Sequence, residues 1–173
     1  MPSLTPEGEA KYRRVVRFFE GVLRHSKGQH SGQHFTLLKW QHDIFRELFG
    51  RLKPDGTRQH RVAYIEVPKK NGKSTLLAGI ALYMLLADEE PGAEVYGAAC
   101  DREQAGIIYL EAAAMVRASP ALSKVLEVVD SRKTIIHRAS NSFYRVLSAD
   151  AFRAEGLACA PRASARGAQA GHN

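Results

Sequence analysis

The sequence predicts an α/β fold built on a parallel sheet and preceded by helices. Three observations carry that expectation. Short β-rich runs alternate with helical runs between residues 61 and 129. A Gly-Lys-Ser turn joins the first β-rich run to a long apolar helix. Ahead of both lie two amphipathic segments whose apolar residues recur at the helical period.

Taken in order, residues 7–24 read as a helix, because Tyr12, Val15, Val16, Phe18, Phe19, Val22 and Leu23 share one face. The polar stretch HSKGQHSGQH (25–34) is a loop. A second helix is expected from about Leu37 to Phe49, with Gly50 as its C-terminal cap. Pro54-Asp55-Gly56 is a turn signal. RVAYIEV (61–67) and EVYGAAC (94–100) read as strands, and KSTLLAGIALYMLLA (73–87) between them as a helix buried against a sheet. Asp101 can cap the next helix, which runs to about Arg117, and Pro120 opens a further one to Val129. KTIIHR (133–138) and FYRVLS (143–148), separated by Ala-Ser-Asn-Ser, read as a β-hairpin. The expected organisation is therefore helices over 1–60, an α/β core over 61–157, and a tail over 158–173. That tail is rich in Ala, Arg and Gly and has no large aliphatic residue, so it should stay disordered.

Composition narrows the function classes. The chain has 173 residues, 45% of them apolar, enough for one domain with a real core. No apolar run approaches the roughly 20 residues a membrane span needs, and the N-terminus has no signal-peptide core. Cys100 and Cys159 frame neither a disulfide scaffold nor a zinc site, so a reducing cytoplasm is the expected setting. The histidines, His30 and His34 among them, lack acidic or cysteine partners and read as loop residues. A net charge of +7 permits contact with nucleic acid or nucleotide phosphates, and equally suits a solvated basic surface.

The chemistry-bearing stretch is EVPKKNGKST (66–75). It departs from the usual phosphate-loop pattern G-x-x-x-x-G-K-[ST] only at its first glycine, where Val67 stands. A phosphate loop needs a strand, a tight turn and a helix, so that free backbone N–H groups face the phosphates. Gly72 would let the backbone approach, Lys73 would reach phosphate oxygens, and Ser74 would offer its hydroxyl to Mg²⁺. Pro68 would stiffen the approach to the loop, and Lys69 and Lys70 would add positive charge, or be ordinary solvated lysines. Asn71 and Thr75 complete the nucleotide-binding set. ATP and Mg²⁺ are the expected ligands, on a P-loop NTPase-like three-layer sandwich.

Pro68-Lys69-Lys70-Asn71-Gly72-Lys73-Ser74 resembles the Walker A loop of tailed-phage large terminase subunits, which commonly reads Pro-Arg-Lys-Asn-Gly-Lys-Ser. Phe35-x-Leu37-x-x-Trp40-Gln41, followed by Leu48-Phe49-Gly50, is similar to that family's adenine-contacting segment, which implies that Gln41 reads the adenine edge. The residues themselves leave Trp40 open to core packing and Gln41 to a solvated helix position. Ala98-Ala99-Cys100-Asp101-Arg102-x-Gln104-Ala105 and Leu147-Ser148-Ala149-Asp150 with Glu155-Gly156-Leu157 resemble later family segments, so the likeness spans roughly 11–157. It implies an ATPase that moves double-stranded DNA into a procapsid in the bacterial host cytoplasm. It also implies a portal protein and a small terminase subunit as partners, and a homo-oligomeric ring.

Two departures stand out. Lys69 replaces an arginine proposed to act on the γ-phosphate, keeping the charge but losing the bidentate fork, so Lys69 with Lys73 is the catalytic pair that the resemblance implies. After Leu157 the family continues into an apolar strand ending in Asp-Glu, the Walker B motif, and later a nuclease domain. Residues 158–173 carry no such strand. The expectation is a truncated or frame-shifted chain whose sheet is incomplete at its C-terminus, leaving the strands at 61–67 and 94–100 without a partner. Asp150 and Glu155 read as capping or solvated acids, and Arg153 as a trans-acting arginine. The alternatives are another P-loop NTPase, helicase-like or kinase-like, or a non-enzymatic nucleotide- or DNA-binding prophage remnant.

Overall fold

The computed structural model describes residues 3–26, 28–68, 71–88, 91–98, 102–147 and 164–166. The chain divides into two compact units, Met1–Pro68 and Lys69–Asn173.

In the first unit, helix α1 (Pro6–Arg17) begins at Thr5, whose hydroxyl accepts the Gly8 N–H at 3.1 Å, with Pro6 as first helical residue. It continues as a π-helical turn over Phe18–Val22. Helix α2 (Lys39–Phe45) likewise runs on into a π turn, Arg46–Gly50. The core is aromatic: Phe19 contacts Phe18, Phe35 and Phe45, with Phe19 and Phe45 centroids 4.7 Å apart. Gly50 does not cap its helix; Arg51 is the C-terminal cap residue. The lack of a side chain at Gly50 serves packing instead, because a Cβ there would lie 2.6 Å from Leu4 Cδ1. A Cβ on Gly8 would collide with the Gly50 carbonyl oxygen, so α1 and the second π turn meet backbone to backbone. The turn at 53–57 forms as expected, with Gly56 at φ +77 and Asp55 Oδ1 accepting the Thr57 N–H at 2.9 Å.

Residues 61–67 are a correction. They form no strand, and Val62 and Tyr64 are 67% and 83% exposed. β propensity expresses fit to a pleated, half-buried surface, and this run has no ladder partner among the described residues.

In the second unit, α3 (Lys73–Leu86) leads to strand β1 (Glu94–Ala98), then α4 (Arg102–Ala118) and a one-turn α5 (Pro120–Ser123). β2 (Glu127–Val129), β3 (Thr134–His137), β4 (Ser142–Leu147) and β5 (Ser164–Arg166) complete the chain. The sheet order is β2-β3-β4-β1-β5. The α/β class holds, with α3 and α4 both packed on β1 and β4.

The sheet is not uniformly parallel. β1 and β4 are parallel, Glu94 opposite Phe143 through Ala98 opposite Leu147, while β2–β3, β3–β4 and β1–β5 are antiparallel. α4 and α5 lie between the parallel β1 and β4, whereas β2, β3 and β4 follow one another through single 3₁₀ turns, which leave room for antiparallel return only. The expected hairpin thus forms between Thr134–His137 and Ser142–Leu147, turning through Asn141 at φ +54. The helix expected from Pro120 to Val129 stops after one turn, because Glu127, Val128 and Val129 pair with Ile136, Ile135 and Thr134. β1 does not lack partners: β4 and β5 flank it. β5 also corrects the tail at three residues, since ladder bonds are made by backbone groups and need no apolar side chain.

Candidate functional site

Of the residues that the sequence predicts to form a phosphate loop, Asn71 to Thr75 are described in the second unit. Gly72 sits at φ +71, ψ 18, the left-handed conformation, immediately before α3. A Cβ there would meet nothing within 4 Å, so the backbone angle, not space, demands glycine. The Gly72 carbonyl accepts the Leu76 N–H at 2.9 Å and closes the first turn. No side chain caps α3, so its first N–H groups, on Lys73, Ser74 and Thr75, form the positive end of a 14-residue helix. Asn71, Gly72 and Lys73 are exposed, and Ser74 and Thr75 half-buried. Behind them the helix is anchored by Leu76, Ala78, Gly79, Ile80 and Leu82, all buried.

That arrangement fits a phosphate chain with its metal. It offers backbone donors at a helix N-terminus, an ammonium on the first helical residue and a hydroxyl on the second. Lys69 and Lys70 lie outside the described residues, as do Cys100, Asp101, Asp150, Arg153 and Glu155. Pro68 is exposed at the end of the first unit.

Gln41 belongs to the first unit. Phe35 and Leu37 ahead of it are buried, while Trp40 and Gln41 are half-buried in the first turn of α2. The Gln41 Oε1 accepts the Leu38 N–H at 2.9 Å, so the side chain caps its own helix. The bond orients the amide, leaving both Nε2 hydrogens and one Oε1 lone pair for another partner.

One residue escaped the sequence reading. Glu111, in the middle of α4, is 9% exposed and is the only charged side chain among the buried described residues. The Thr75 hydroxyl donates to its Oε1 at 3.4 Å. The available signal was an acid inside the apolar run Leu110-Glu111-Ala112-Ala113-Ala114. Elsewhere on α4, Tyr109 donates to Asp130 Oδ1 at 2.9 Å, and burial with that carboxylate pushes its phenol up to about 12. Among the described residues no cluster of three or more His, Cys, Asp or Glu could hold a metal, and no helix is long and apolar enough to cross a membrane.

Comparison with known proteins agrees with this geometry. The family described as "Terminase large subunit, ATPase domain" matches residues 39–158. The large terminase subunit of Enterobacteria phage HK97 is 32% identical over 145 residues, covering 83% of this chain and 28% of that protein. The crystal structure of the HK97 bacteriophage large terminase superposes with a TM-score of 0.70 at 30% identity, covering 81% of this chain. The chain therefore spans about 28% of the length of the relative it matches.

Proposed function

The chain belongs to the terminase large subunit ATPase-domain family, and from that premise we propose that it is the ATP-binding motor part of a phage DNA-packaging enzyme. The carrying observation is Gly72 in the left-handed conformation ahead of an uncapped, deeply anchored α3. Gly72, Lys73, Ser74 and Thr75 hold the β- and γ-phosphates of ATP, with Pro68, Lys69, Lys70 and Asn71 forming the approach. Lys73 brings a charge to the phosphate oxygens, and the Ser74 hydroxyl is a ligand for Mg²⁺. The metal, when bound, neutralises charge on the phosphates. Lys69 supplies the charge that an arginine fork supplies elsewhere in the family. Gln41, oriented by Leu38, reads the adenine edge.

In the intact family this binding powers translocation of double-stranded DNA into the procapsid, with the portal protein, a small subunit and a ring of large subunits, in the host cytoplasm. The family match ends at residue 158, where the Ala/Arg/Gly-rich stretch begins. That coincidence favours a second reading, in which residues from about Ala158 are out of frame. Translation of the downstream DNA in all three frames tests it: a frame giving an apolar strand ending in Asp-Glu supports it, and its absence in every frame refutes it.

The binding proposal is tested with a fluorescent, non-hydrolysable ATP analogue and Mg²⁺. Lys73→Ala removes a charge-assisted contact and is expected to weaken binding roughly 10- to 100-fold. Equal affinity of the two proteins would refute the phosphate-loop assignment.

A further inference from the structure

We infer that Glu111 is a positioning residue of the phosphate loop, acting through Thr75; the inference rests on the reading of Gly72–Thr75 as a nucleotide site. Thr75 is the third residue of α3, inside the turn whose N–H groups face the phosphates. Its hydroxyl donates to the carboxylate of Glu111 on the neighbouring helix. That bond sets the rotamer of Thr75 and ties the first turn of α3 to α4, a 17-residue helix packed on β1 and β4.

The packing around the pair explains why it can act as a tether. α3 and α4 pack on one another, and the polar contact between Thr75 and Glu111 references the first turn of α3 to a fixed point on α4. A buried carboxylate is costly unless hydrogen-bonded, and the Thr75 hydroxyl is one of the groups that meet this acid. At 3.4 Å the bond is long, and it is the kind that tightens when a ligand orders the site. The loop geometry that receives the phosphates is thereby referenced to α4, not to α3 alone.

What Glu111 supplies to Thr75 is an acceptor oxygen, and this separates its role from that of its charge. Glutamine keeps the oxygen and loses the charge; alanine loses both. The experiment uses the full chain, the non-hydrolysable ATP analogue with Mg²⁺, and thermal melts of every variant. Glu111→Ala and Thr75→Val are each expected to weaken binding about three- to tenfold. The double variant should be no weaker than either single one, and Glu111→Gln should bind within about twofold of the parent. Tighter binding by both Glu111 variants would show that the carboxylate merely repels phosphate and would overturn the inference. So would additive losses, or a fall in melting temperature with affinity unchanged well below it. If the parent chain itself binds no nucleotide, the phosphate-site reading fails first and the inference falls with it.

Discussion

Replacing Tyr144 by Phe should make this protein more stable. The usual expectation is the reverse, since a buried tyrosine hydroxyl is normally bonded and its removal costs about 1 kcal/mol. Tyr144 lies on β4 at 1% exposure, and its hydroxyl has no hydrogen-bond partner among the described residues. A buried unsatisfied polar group costs about 1–3 kcal/mol. Taking the lower half of that range, Tyr144→Phe gains about 1–2 kcal/mol, or roughly 2–8 °C in melting temperature at this chain length. The neighbour sharpens the test. A Cβ on Gly97 would lie 2.7 Å from the Tyr144 oxygen, but 3.2 and 3.3 Å from the nearest ring carbons. Gly97→Ala should therefore destabilise the parent and be partly rescued in the Tyr144→Phe background, with a coupling of about 1 kcal/mol. Thermal melts and urea midpoints at unchanged m-value measure both effects. A loss of stability in Tyr144→Phe, or strictly additive behaviour with Gly97→Ala, would refute the claim that this hydroxyl is unsatisfied and pressed against β1.

Alkaline pH should reveal two buried phenols of the second unit, Tyr109 and Tyr144. Burial raises Tyr109 to about 12 and Tyr144 further, so their contribution is fully present below pH 10 and is lost as pH rises through the folded values. Urea midpoints against pH should fall from about 10 upward, and the fall should shrink when Tyr109 is replaced by Phe. In the first unit, Gly8→Ala drives a methyl into the Gly50 carbonyl and should cost about 1–3 kcal/mol, whereas Gly21→Ala meets nothing within 4 Å and should be neutral or stabilising by up to about 1 kcal/mol. Denaturant midpoints of the two variants check the contrast.

The elements that sequence reveals best here are those whose causes are local. The apolar run from Leu76 to Leu85 makes α3 unmistakable, and Gly72 ahead of it carries the only conformation its place allows without strain. The β3–β4 hairpin is equally local, because Asn141 tolerates the left-handed turn between two β-branched and aromatic runs. What could not be read depends on distant partners. RVAYIEV has the composition of a strand, but a ladder takes two sides. Val128 and Val129 suit a helix's apolar stripe as well as a strand, and β3 decided between them. In sequence Glu111 is one acid among alanines, and only the fold brings the Thr75 hydroxyl beside it. Gly50 reads as a cap in sequence, whereas in the structure its backbone packs against Gly8 of α1.

The exposed stretch Arg61–Val67 also bears on how the protein behaves in a crowded solution. A β-prone run with Val62 and Tyr64 open to solvent is a template to which another copy can add a strand, the first step towards aggregation. The same segment carries its own brakes. Arg61 and Glu66 bracket the run, Pro68 forbids a ladder donor at its end, and Lys69 and Lys70 follow as like charges. The proline and the basic residues that follow this run thereby also keep neighbouring molecules apart.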